Sequence, residues 1–157
     1  MCIIVDINTL ASVFKTSSAD HGQFAPVLSH IRSRKSNLII GGSKFEAELK
    51  LNKEFYKILS IMKSNGQAVE ADRSRVDSLE ASIAAKFSDP LFNDKHIVAL
   101  CYISNARLVC TKDLVLQSYI KKRDFYNKGK TPAKVFNSKS PAKIVPGGSF
   151  KPKCGLC

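Results

Sequence analysis

The stretch NDKHIVALCYISNARLVCTKD, residues 93–113, decides how this chain is read. A dense apolar run follows Asp94 and continues for helical length, so a helix is predicted from about Asp94 to Asn105. RLVCT then reads as a short buried strand, with Asp113 just beyond it and the helical pattern DLVLQSYIKK after it. A helix that opens at an acid and a strand that closes near one deliver both acids to the same edge of a sheet, if the strands are parallel.

The rest of the chain supplies the parallel strands. CIIV, residues 2–5, is a continuous apolar run rich in β-branched residues, which suits a strand buried on both faces. NTLASVF reads as a loop entering a helical turn, and FAPVLSHIRSRK as a helix with a basic last turn. NLIIGG is a second buried strand, and QAVEA a weaker third. Between them, SKFEAELKLNKEFYKILSIMKSNG is predicted as one helix, stopped by Asn65 and Gly66. Val76, Leu79 and Ile83 recur at helical spacing in DRSRVDSLEASIAAKF. Strands alternating with helices predict an α/β fold, a three-layer α/β/α sandwich around a mostly parallel sheet.

Composition and charge set the remaining bounds. With 157 residues, 44% of them apolar, the chain is long enough for one domain with a sizeable core. No apolar run approaches the ~20 residues of a membrane helix, and the start lacks the basic region of a secretory signal, so a soluble cytoplasmic protein is expected. The net charge of +12 is uneven: from residue 121 onward ten Lys or Arg face one acid, Asp124, which leaves +3 for residues 1–120. Domain organisation follows: a folded unit over 1–126, then a basic Pro/Ser/Gly-containing extension over 127–157. Within the extension, Val135-Phe136, Ile144-Val145 and Phe150 are candidates to dock as short strands. Such an arm is attracted to nucleic-acid phosphates through counterion release, and a solubilising tail is the plainer alternative. Cys2, Cys101 and Cys110 read as small core residues. The terminal CGLC, Cys154 and Cys157, lacks a second half for a zinc site, and Gly155 is a poor aliphatic position for prenylation.

Four acids share the expected edge. Asp6 follows the first strand, Glu46 lies in the first turn after LIIGG, Asp94 opens its helix and Asp113 follows RLVCT. Each has a structural explanation: Asp94 and Asp113 suit helix N-termini, Ser43 and Glu46 form an S-x-x-E capping box, and Asp6 can cap the next turn. The conjunction is what points to chemistry. Carboxylates gathered at one place repel one another unless a cation is present, and Mg²⁺ or Mn²⁺ prefers such oxygen donors. An ion so held lowers the pKa of a water and neutralises charge on a phosphodiester under attack.

These residues resemble the PIN-domain nucleases, the family that includes VapC-type toxins. IIVDINTL is similar to the family's opening strand, with Asp6 and Asn8 as D-x-N. SKFEAEL is similar to its Ser-to-Glu helix start, with Ser43 and Glu46. DKHIVALC is close to its D-x-x-I-[LV]-A-x-A helix, and RLVCTKD to its strand ending in T-x-D. The order holds over residues 1 to about 120. The resemblance implies a Mg²⁺- or Mn²⁺-dependent endoribonuclease acting on single-stranded RNA. It also implies a toxin of a toxin–antitoxin or defence system held in check by an antitoxin protein, and often a homodimer. In that reading Asp6, Glu46, Asp94 and Asp113 bind metal, while Asn8, Ser43 and Thr111 orient carboxylates, water or phosphate. One departure is that many members carry a further acid after T-x-D, where this chain has Leu114, Val115, Leu116 and Gln117.

Lys44, Lys95 and Lys112 stand beside or near the proposed acids, and Lys128 and Lys130 begin the basic arm, so these five are the candidate RNA contacts. His96 reads as a packing or capping residue rather than a general base. Two other readings stay open: an RNA-binding module with this fold and no catalysis, and a D-x-D phosphatase, against which Asn8 speaks because a second Asp is expected there.

Overall fold

The computed structural model describes residues 1–126, 130–137 and 156. Its centre is a five-stranded sheet in the order β3-β2-β1-β4-β5, with every pairing parallel. The strands are β1 (Cys2–Val5), β2 (Asn37–Ile40), β3 (Ala68–Glu70), β4 (Leu108–Cys110) and β5 (Lys134–Phe136). β1 and β4 are buried along their whole length, as their unbroken apolar runs require. The expected α/β class is thus the observed one, consistent with a three-layer sandwich.

Helices fill the crossovers. A 3₁₀ turn (Ile7–Thr9) leads into α1 (Leu10–Phe14), and α2 (His21–Arg32) completes the first connection. α3 (Ser43–Lys50) and α4 (Lys53–Ser64) join β2 to β3, α5 (Arg73–Lys86) and α6 (Lys95–Ser104) join β3 to β4, and α7 (Leu114–Ile120) precedes β5. The chain steps outward from β1 to β3, then returns past β1 to β4 and β5. Right-handed crossovers put the helices of these two runs on opposite faces. On the first face, Lys15 after α1 pairs with Glu54 of α4, and Phe24 of α2 meets Phe136 of β5 at 5.4 Å between ring centroids. On the second, α5 packs along α6, and Phe92 stacks on Tyr119 of α7 at 3.7 Å.

The single helix expected over SKFEAELKLNKEFYKILSIMKSNG is two. Asn52 interrupts it, its side chain accepting from Phe55 N as the N-cap of α4, while Leu51 stands 88% exposed. The core positions explain the break. Phe45 and Leu49 are one helical turn apart, but Leu49 to Phe55 is a step of six, out of phase with one continuous face.

Two glycines let α3 lie close against its neighbours. Gly41 has φ 133°, and a Cβ there would meet Ala71 O at 2.9 Å. Gly42 has φ 87°, and its Cβ would meet Val76 Cγ1 at 2.7 Å. The start of α3 is then fastened to α5, because Asp77 accepts from Ser43 N at 2.8 Å and from Ser43 Oγ at 2.6 Å.

The folded unit does not stop at 126. β5 extends the sheet beyond β4, and Phe136 is 2% exposed. Val135-Phe136 therefore docks as a strand, whereas Ile144, Val145, Phe150 and, of the terminal CGLC, Cys154, Gly155 and Cys157 lie outside the described residues. Cys2 is buried as expected and is also disulfide-bonded.

Candidate metal centre

The strand order reverses between β1 and β4, and the carboxyl ends of these two strands form the crevice where open α/β sheets bind ligands. Asp6 leaves β1 there, its N–H bonded to Cys110 O at 3.0 Å. Thr111 leaves β4 beside it. The Thr111 hydroxyl donates to Asp6 Oδ2 at 2.7 Å and accepts from Asp113 N at 3.0 Å. Asp113 caps α7 by accepting from Leu116 N at 2.9 Å. One hydroxyl thus ties the end of β1 to the start of α7.

The electrostatics join a third carboxylate to these two. Burial drives the pKa of Asp6 from 3.8 up to about 6. The Thr111 hydroxyl and the Asn8 N–H work against that rise, while the negative charges of Asp94 and Asp113 add to it. Asp94, the N-cap of α6, is itself raised, first by burial and then by Asp113, with Lys44 opposing. The charges of Asp94 and Asp113 thus both reach Asp6, and that of Asp113 reaches Asp94, as expected for acids delivered to one edge.

Glu46 is not among them. Its carboxylate pairs with Arg73 at the start of α5, on the side of α3 that faces β3. The α3 acid that reaches Asp94 is Glu48. Burial raises its pKa, the nearby Lys44 cation lowers it, and Asp94 and Glu80 raise it further. At about 100° per residue, positions 44 and 48 share a face, and position 46 points roughly the opposite way. Glu46, expected among the metal ligands, is thus turned away from the other three acids.

Glu48, Asp94 and His96 can hold a metal ion: one ligand atom from each lies within 4.8 Å of the others. His96 is 1% exposed, and neither ring nitrogen has a hydrogen-bond partner among the described residues. Burial, reinforced by Lys44, pushes its pKa down to about 3, so the ring is neutral and carries a free lone pair at physiological pH. Carboxylate oxygens and a neutral imidazole are a donor set that fits a divalent cation.

The remaining expected residues are held as follows. Thr111 orients Asp6, as described. Asn8 is exposed, and its side-chain oxygen accepts from Thr9 Oγ1 at 2.8 Å. Ser43 is engaged by Asp77, away from the acids, and Gly42 rather than Ser43 is the N-cap of α3. Lys44 Nζ donates to Asn93 O, leaving its charge beside Glu48, Asp94 and His96. Lys95 Nζ donates to Phe92 O and lies 4.9 Å from the centre of that ring. Lys112 pairs with Asp20 at 2.6 Å. Lys130 sits over the Tyr102 ring at 3.7 Å. Lys128 lies outside the described residues. Gln117, where a further acid was absent, is buried and donates to Thr111 O while accepting from Asn137 Nδ2. The free thiols of Cys101 and Cys110 are buried, and burial pushes their pKa values far up.

In comparisons with protein families, characterised proteins and solved structures, none matches this chain. No helix among the described residues is long and apolar enough to cross a membrane.

Proposed function

We propose that this chain is a metal-dependent endoribonuclease of the PIN type, hydrolysing phosphodiester bonds of single-stranded RNA with Mg²⁺ or Mn²⁺. The observation that carries the reading is the convergence of Asp6, Asp94 and Asp113 from distant segments at the switch point of a parallel sheet, where Thr111 hydrogen-bonds both Asp6 and the Asp113 N–H and the negative charges of Asp94 and Asp113 raise the pKa of Asp6. Negative charge gathered in this way is unfavourable for folding and favourable for capturing a cation.

In this reading Asp6, Asp94 and Glu48 hold the ion, and Asp113 adds negative charge beside it. A bound divalent cation supplies an acidified water and charge neutralisation at the phosphate. Thr111 fixes the rotamer of Asp6 through its hydroxyl, so that carboxylate needs little reorganisation when a cation arrives. Lys44, held beside the acids by Asn93 O, is positioned to meet a phosphate oxygen, and Lys112 offers a second cation at the same edge once it releases Asp20. The basic residues after 120 add sequence-independent affinity for RNA. A toxin role with an antitoxin partner, a homodimer and a cytoplasmic setting rest on the resemblance alone.

A second reading is favoured by a separate observation. Glu46 and Ser43, two residues that the resemblance assigns to the site, are bound instead to Arg73 and Asp77. On that basis the chain is an RNA-binding module without catalysis. The test is cleavage of a single-stranded RNA in Mg²⁺ or Mn²⁺, with Asp94→Asn as control. Metal-dependent cleavage lost in Asp94→Asn supports the nuclease. Salt-sensitive binding with no cleavage in any divalent ion overturns it in favour of the module.

A further inference from the structure

The centre contains a group that oxygen-only coordination leaves unexplained. A buried histidine ordinarily donates from one ring nitrogen and accepts at the other, since an unmet buried polar atom costs about 1–3 kcal/mol. His96 does neither with any described residue, although it is 1% exposed. It is also the second residue of α6, two positions after the cap at Asp94.

We propose that His96 is a metal ligand alongside Glu48 and Asp94, making a mixed imidazole–carboxylate site that takes Mn²⁺ in preference to Mg²⁺. The inference rests on the nuclease reading only in that the same ion would serve both.

Three features of the geometry support it. Ligand atoms of the three side chains lie within 4.8 Å of one another, close enough for a common ion. Two residues apart on a regular helix, Asp94 and His96 would point to nearly opposite sides. Asp94, however, has φ −95° and ψ 41°, outside helical geometry, and this turns its carboxylate back toward the imidazole. Glu48 arrives from α3 while Asp94 and His96 stand at the start of α6, so the ligands come from two separate elements. Imidazole nitrogen suits first-row transition ions, whereas Mg²⁺ takes oxygen donors and water. Lys44 and Glu80 complete the local charge around the three ligands.

The test is direct binding to the full chain with Mn²⁺ as the probe. Mn²⁺ is titrated by EPR and competed with Mg²⁺, and the bound ion is examined by electron spin-echo modulation for a directly bonded ¹⁴N. The expected result is a ¹⁴N signal, and Mn²⁺ affinity exceeding that for Mg²⁺ by about tenfold or more, the size of loss typical when even an outer-shell partner is removed. His96→Asn should abolish the signal and most of the preference. The chain's other histidines, His21 and His30, provide the control if that variant does not fold: the His21→Asn/His30→Asn double variant must keep the signal. Mn²⁺ bound in an Asp94-dependent way without a ¹⁴N signal overturns the histidine ligand and leaves the nuclease reading standing. Absence of Mn²⁺ binding overturns both.

Discussion

Thr111 donates its hydroxyl hydrogen to Asp6 Oδ2 at 2.7 Å, joining residues 105 positions apart at the ends of neighbouring parallel strands. Thr111 Oγ1 also accepts from the Asp113 N–H, so both hydrogen-bonding functions of the hydroxyl are used inside the site.

Replacing Thr111 with Val keeps the shape and removes both bonds. The loss should be about 1–3 kcal/mol of stability, the range for a bond to a group that ionises. It should also raise the pKa of Asp6 further, because a donor that favours the charged form is gone. Urea unfolding measures the first, and the pH midpoint of Mn²⁺ binding measures the second, which should move upward. Thr111→Ser should restore both.

Asp6→Asn should make the metal-free protein more stable at pH 7. Because the native pKa of Asp6 is raised from 3.8 to about 6, the folded state keeps a proton between those values that the unfolded state has lost. Stability from this group is therefore greatest below about pH 4, falls as pH rises toward 6 and is level above that. The difference is roughly 3 kcal/mol at neutral pH. Denaturant unfolding in chelator at pH 4 and pH 7 should show the slope in the wild type and its loss in the variant. Metal-dependent cleavage should disappear in the same variant.

Ser43→Ala separates an anchor from a site residue. The hydroxyl binds Asp77, not an acid of the centre. The variant should lose about 1 kcal/mol of stability while its Mn²⁺ affinity stays unchanged. A collapse of metal affinity with little loss of stability would instead return Ser43 to the site.

Truncation distinguishes the strand from the arm. Removing residues 138–157 takes away four lysines and no acid, so RNA binding should weaken with a shallower salt dependence. Removing 127–157 also takes away Phe136, which packs on Phe24, and should cost stability on the scale of about 3–5 kcal/mol seen when a buried Phe is lost. Filter binding across salt concentrations and thermal melts read the two effects separately.

β1, β4 and the Leu38–Ile40 part of β2 were legible because each is a short unbroken apolar run, and the alternation of strands with helices forces the parallel order. The positions of Asp6, Asp94 and Asp113 follow from that alternation alone. The choice between Glu46 and Glu48 does not. Both flank the buried stripe of Phe45 and Leu49, one on each side by about 80°, and nothing local tells which side faces the centre. The i, i+4 pair Lys44 and Glu48 is the signal available, and it gains meaning only once Lys44 is seen beside Asp94. His96 was legible as a buried residue. Its unmet nitrogens are a tertiary property that no spacing encodes.

β5 has a consequence for how the molecule is made. The strand that covers Phe24 lies far downstream, and so does Asn137, which donates to the Gln117 side chain holding Thr111 O. On a ribosome every acid of the centre emerges before the residues that brace its floor. A nascent chain therefore carries all these carboxylates while the hydroxyl that steadies Asp6 is still loosely mounted, and the surroundings of Asp6 are complete only once β5 and Asn137 have been made.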